Sequence, residues 1–483
     1  MPASPSKAWS ILKEVGDLYL DLCGPEVEFK RVFVHGLNAD GFLVPQRHVK
    51  ESEQLKEALE IFRQAIRLRS TIKDEFDAAK RSTARFFQKL AYEMSKRKHY
   101  EIAYAAEEQD LAITRTLILQ DKSYELTLGS SLYNLAIYSE RLKKTEEALA
   151  LGAESVEYRR RWQTTTNERV DLALALYNNS IFCFGLNYLE QALQSVDESV
   201  VLYRPLAEGP SALESHIILL VNALLYHSVY LDRLGRCTEA LISQEEAVAL
   251  ARRLVEINQR TYYPQLAACL FNLARSHNAL KDWDTAKATL NDTIAVYQSM
   301  TDVDSALYQE GVAKCHLNFA IYHNNTKNWN EAVQAMSKAL EMYRILHAQK
   351  PDEFLSPMAD SLGGLGRYRA MVGEFEQGLM EVEEGMKLGR PNPAENPKVS
   401  ESVWAYLLNA HAMCLHGLGR WDEAMISARA SLDHFRPLFN KQPLSANNRR
   451  LLREILETNV EVMELLGLVA ELETLKDERR TLE

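Results

Sequence analysis

The sequence predicts an all-α solenoid, a right-handed superhelix of antiparallel helix hairpins in about 8–10 units of about 46 residues. Three observations carry this. Small residues recur at a fixed period over most of the chain, short acidic turns recur in step with them, and the last segment is polar enough to close a stack. With 483 residues the chain exceeds the roughly 250–300 residues that one core can serve, so it is either several domains or one elongated array. The period selects the array.

Ala103, Ala148, Ala192, Ala240, Ala286, Ala332, Gly378 and Ala424 form one column, with spacings of 45, 44, 48, 46, 46, 46 and 46. Twelve residues before each stand Ala91, Ala136, Ser180, Ser228, Ala274, Ala320, Gly366 and Ala412. Seven residues after stand Ser155, Ser199, Ala247, Thr293, Ala339, Gly385 and Ser431, and only the first unit departs, with Asp110. Small residues at fixed points of two consecutive amphipathic helices let the pair approach closely while larger apolar neighbours fill the gaps.

Within each unit the chain reads LGRCTEA (Leu234–Ala240), LKDWDTA (Leu280–Ala286), TKNWNEA (Thr326–Ala332) or LGRWDEA (Leu418–Ala424), a short turn followed by acidic residues suited to a helix N-terminus. Longer joints bearing Pro205 and Pro210, Pro264, Pro351 and Pro357, Pro391 to Pro397, or Pro437 and Pro443 are expected to set the unit boundaries. Residues 1–54 read as an irregular N-terminal cap segment, residues 55–446 as the repeat array, and residues 447–483 as a C-terminal repeat and capping helix. Segment 29–49, with Gly36, Gly41 and Pro45, looks irregular or strand-like, whereas Leu55–Ile72 reads as a helix with Ala58 in phase. At the other end Ala470 keeps the phase and the run KDERRTLE suits a cap.

The stretches SLYNLAIYSERLKKTEEAL, CLFNLARSHNALKDWDTAK and HLNFAIYHNNTKNWNEAVQAMSKAL carry a small residue, an Ala twelve residues on after the turn, and a further small residue. This pattern resembles the tetratricopeptide repeat, in a long-repeat form similar to kinesin light chains, since the common unit has about 34 residues. HEAT-like hairpins of about 40–47 residues are the second reading of the fold.

In such arrays the first helix of each hairpin lines the concave surface. A residue two positions before the small residue is turned roughly 200° away from the hairpin partner. That column reads Lys89, Asn134, Asn178, Tyr226, Asn272, Asn318, Gly364 and Ala410, and its stripe continues through Arg141, Arg233, Arg275 and Arg367. An Asn amide offers both a donor and an acceptor, matching a peptide backbone, and Arg selects carboxylates. The resemblance implies that Asn134, Asn178, Asn272 and Asn318 hold the backbone of an extended peptide; the alternative is that they bond to adjacent helices and stiffen the stack.

A net charge of −11 argues against a nucleic-acid or anionic-membrane partner. Cys23, Cys183, Cys237, Cys269, Cys315 and Cys414 form no CxxC pair and are expected to be free thiols, with Cys269 and Cys315 in equivalent core positions. Lys80, Arg81, Arg85, Lys89, Lys96, Arg97 and Lys98 read as a solvated helix face, and Arg159 to Arg161 as a basic helix end. VFVHGL (Val32–Leu37) resembles an α/β-hydrolase loop, but no G-x-S-x-G follows; phosphate-loop, dinucleotide and H-E-x-x-H motifs are lacking too. The sequence therefore predicts a non-enzymatic cytoplasmic adaptor, with the nucleus not excluded, that needs no cofactor or metal and binds a protein or peptide. Self-association stays open, and a regulatory sensor or a structural subunit of a larger signalling assembly is the alternative.

Overall fold

The computed structural model describes residues 77–209, 212–300, 305–389, 399–441, 446–466 and 469–481. The cap segment 1–54 and the helix expected over Leu55–Ile72 lie outside the described residues. Among those described there are eighteen α-helices and no strand. They pair as hairpins: α1 (Asp77–Lys96) with α2 (Tyr100–Ile118), α3 (Glu125–Arg141) with α4 (Thr145–Arg160), and α5 (Thr166–Gly185) with α6 (Leu189–Ala207). Next come α7 (Glu214–Arg233) with α8 (Cys237–Ile257), α9 (Gln259–Ala279) with α10 (Trp283–Gln298), and α11 (Ser305–Asn325) with α12 (Trp329–Gln349). The series ends with α13 (Pro351–Val372) and α14 (Phe375–Leu388), α15 (Glu401–Gly417) and α16 (Trp421–Lys441), and α17 (Ala446–Leu465) and α18 (Val469–Arg480).

The chain divides into two compact units, one up to Pro205 and one from Leu206. Within the second, each helix from α7 to α18 packs on the next in chain order, and α9 also touches α11, α13 touches α15, and α15 touches α17. In the first, α1 to α5 pack in the same successive way, with α3 also touching α5. Hairpin stacked on hairpin, with first helices adjoining, is the all-α solenoid arrangement.

The three columns explain the stacking. Every residue of the first two is buried, and so is every residue of the third, Asp110 included. At α13 and α14 both column residues are Gly, and a Cβ on Gly366 would lie 2.8 Å from the Gly378 carbonyl oxygen. Cys269 and Cys315 are completely buried, as their equivalent places required.

Each of the first eight hairpins turns through a single left-handed residue, five positions before the column that begins at Ala103: Lys98, Lys143, Asn187, Gly235, Lys281, Lys327, Gly373 and Gly419. The amide of the following residue donates back five residues, as His99 does to the Met94 carbonyl and Arg420 to that of Leu415. This is the Schellman closure of a helix C-terminus.

Four prolines of the expected joints require correction, whereas Pro351 opens α13 and Pro210, Pro391 to Pro397 and Pro443 lie outside the described residues. Pro205, Pro264, Pro357 and Pro437 lie inside α6, α9, α13 and α16, and single residues, Asn258 and Lys350, separate α8 from α9 and α12 from α13. A proline near a helix end removes few backbone bonds, so the helix runs through it. The long repeat is absorbed by helices of up to 22 residues.

Candidate functional site

The stripe on the first helices is best built in the second unit. Tyr226 of α7 is 8% exposed and packs its ring 5.9 Å from that of Tyr230. One hairpin on, Asn272 of α9 is half-buried, with Arg275 one turn later and exposed. Asn318 occupies the equivalent place on α11; it is 8% exposed, and its Nδ2 is buried with no hydrogen-bond partner among the described residues. A buried amide N–H without an acceptor costs about 1–3 kcal/mol.

Arg233, at the end of α7, is half-buried. Its guanidinium is held below its ordinary range by burial and by the charge of Arg275. Asp232 sits in the same field; burial pushes its carboxyl up to about 6, against the pull of both arginines. The charges of Arg233, Arg275 and Asp232 thus act on one another at this end of the stripe.

Farther along, the column loses its amides at Gly364 and Ala410, and the chain fills the space itself. A Cβ on Gly364 would lie 2.6 Å from Met336 Cε and 3.7 Å from the Tyr406 hydroxyl. Arg367 of α13 is buried, pairs with Glu454 of α17 at 3.3 Å, and donates to Asn324 Oδ1 at 3.4 Å. Neither Glu454 nor Tyr406 stands out in the sequence: Glu454 belongs to a hairpin two farther on, and Tyr406, four residues before Ala410, has no tyrosine at the equivalent place in the other units.

In the first unit the asparagines are already engaged. Asn134 Nδ2 donates to Glu107 Oε1 at 3.1 Å, and Asn178 Nδ2 donates to the Tyr133 hydroxyl and the Leu174 carbonyl, both at 2.9 Å. Arg141 is half-buried with its guanidinium 5.9 Å from the Tyr100 ring centroid. The basic helix end is not uniformly solvated: Arg159 is buried beneath Tyr133 and pairs with Asp171 at 3.4 Å. No helix among the described residues is long and apolar enough to cross a membrane.

A tetratricopeptide-repeat family profile matches residues 268–299, the second half of α9 and all of α10. The chain is a protein of tetratricopeptide-type repeats. No curated protein matches its sequence. Among solved structures, the repeat protein is similar to the apo form of RapI, with 14% identity over 80% of this chain and 99% of that one and a TM-score of 0.51, which supports the fold. It is also similar to the apo form of the quorum sensor NprR from B. thuringiensis, at 15% identity, 89% and 99% coverage and a TM-score of 0.47. A putative kinesin light chain with TPR-like repeats from Podosopora anserina aligns at 16% identity over 47% of this chain and 100% of its own, with a TM-score of 0.38.

Proposed function

We propose that this repeat protein is a non-enzymatic cytoplasmic scaffold whose second unit holds an extended peptide of a partner along α7, α9 and α11. Asn272 and Asn318 bond the peptide backbone, Tyr226 packs against it, and Arg233 and Arg275 receive a carboxylate. The observation that carries this reading is the buried, unpartnered Nδ2 of Asn318 in the same repeat position as Asn272. A pair of amides one hairpin apart can each satisfy one peptide unit with little demand on ligand sequence. Arg367 is a latent subsite, since a ligand carboxylate must first displace Glu454. Asn134, Asn178 and Arg141 form the corresponding stripe of the first unit, where a peptide must replace the bonds to Glu107 and Tyr133.

The test is selection from a displayed library of random peptides on the full-length protein and on Asn272→Ala/Asn318→Ala, after circular dichroism establishes equal helicity. Peptides enriched by the wild type and lost by the variant support the reading. Equal enrichment by both, or none by the wild type, overturns it.

A further inference from the structure

Among the first eight hairpins, the first breaks the rule that the other seven obey. In the third column its second helix carries Asp110 where the others carry Ser, Ala, Thr or Gly. Three residues earlier, Glu107 stands where the equivalent residues are Gly152, Val196, Gln244, Leu290, Met336, Val382 and Ala428, none of them ionisable. Neither carboxyl escapes to water, for Glu107 is 0% and Asp110 is 1% exposed. A local rule broken twice on one face of one helix marks either strain or use.

The described residues around the pair are polar and include no compensating cation. Glu107 Oε1 accepts from Asn134 of α3, and Oε2 is buried without a partner among the described residues. Asp110 Oδ2 accepts from the hydroxyl of Ser131 of α3. The titratable groups that face Glu107 are Asp110 on its own helix and Tyr138 on α3, whose hydroxyl also meets Ser95 of α1. Charged side chains of neighbouring helices are engaged elsewhere: Lys144 and Glu147 of α4 meet α2 at Tyr104, Glu154 meets it at Arg115, and Lys96 of α1 pairs with Glu93. Among the described residues no cation compensates either carboxylate.

We infer that Glu107 and Asp110 form a proton-sensitive joint between α2 and α3, tight when both carboxyls carry protons and loosened when they ionise. Two anions one helical turn apart, fully desolvated and without a cation, repel each other and draw water, and both are bonded across the α2 and α3 contact, to Asn134 and Ser131. Burial, with Asp110 adding to it, pushes the Glu107 carboxyl well above its ordinary range, and burial pushes Asp110 up to about 6 against the bond from Ser131. Because both folded-state values are raised, the stabilisation is complete below roughly pH 4 and is lost as pH rises through the folded-state values, in two steps that belong to the pair. Asn134 reports the change directly, since its amide is bonded to the carboxyl that titrates.

Hydrogen exchange with mass spectrometry on the full-length protein at about pH 5 and about pH 8, corrected for intrinsic exchange chemistry, tests this. Amides of α2 and of the first half of α3 should exchange about tenfold faster at the higher pH, with α9 to α12 unchanged. In Glu107→Gln/Asp110→Ser, which gives the joint the serine that the next two hairpins use, that ratio should fall to one. An infrared band of a buried protonated carboxyl, present in the wild type at neutral pH and absent from the variant, is the independent readout. The inference is overturned if wild type and variant show the same ratio, or if the wild-type ratio is already one.

Discussion

Arg367 and Glu454 pair at 3.3 Å although they belong to α13 and α17, with the first helix α15 lying between them in the stack. Their side chains are 10% and 12% exposed, so the pair is desolvated and depends on mutual satisfaction. Removing one partner leaves a buried charge: Glu454→Ala should lower stability by about 3–5 kcal/mol, while Arg367→Met/Glu454→Met should restore most of it. Denaturant unfolding of the two variants decides this. An equal loss in both would show that the pair is not the tie between α13 and α17.

The left-handed turn residues offer a gain. Four of the eight turns carry Lys in a backbone region that glycine adopts freely, and three carry Gly itself, with no heavy atom within 4 Å of a Cβ built on Gly235, Gly373 or Gly419. Space is therefore not what limits these sites; backbone strain is. Lys143→Gly and Lys281→Gly should each stabilise by about 1 kcal/mol, and Gly373→Ala should cost about as much. Thermal midpoints that fall in both lysine variants would refute the argument.

How far the sequence could be read follows from these particulars. Ala103, Ala148 and their equivalents were legible because packing between helices of one hairpin repeats with the unit, and so each burial position repeats too. Lys143 as a left-handed residue was not, because a side chain that tolerates strain leaves no compositional mark, unlike Gly235. Pro264 misled for a related reason: proline signals a boundary only when the helix cannot absorb the lost bond, and near the start of α9 it can. Asn134 and Asn178 were placed on their stripe, but their ties to Glu107 and Tyr133 depend on which side chain the neighbouring hairpin brings near. Glu454 lay beyond reach because its partner is two hairpins away.

Gly366→Ala makes an apparently conservative change, since Ala fills the same column at Ala274 and Ala320. At α13, however, the added carbon would lie 2.2 Å from Val382 Cγ2 and 2.8 Å from the Gly378 carbonyl oxygen. The valine can be trimmed, but the carbonyl belongs to backbone and must move with α14. The expected cost is about 1–3 kcal/mol, and Val382→Ala added to it should not restore wild-type stability. Full recovery in the double variant would place the strain on the side chain alone.

The serines of the third column separate a bonded hydroxyl from an idle one. Ser199 Oγ donates to the Ala173 carbonyl at 2.8 Å, tying α6 to α5, and the equivalent Ser155 donates to the Gly129 carbonyl at 2.6 Å. Ser431, in the same repeat position on α16, is equally buried, yet its Oγ has no partner among the described residues. A made bond contributes about 1 kcal/mol, whereas an unmade one leaves the full desolvation penalty standing. Ser199→Ala should therefore destabilise by about 1 kcal/mol, and Ser431→Ala should be neutral or stabilising. Chemical denaturation of the two variants under one set of conditions measures the difference; equal destabilisation by both would mean that Ser431 finds a bond in solution and that the column is tied by its hydroxyls throughout.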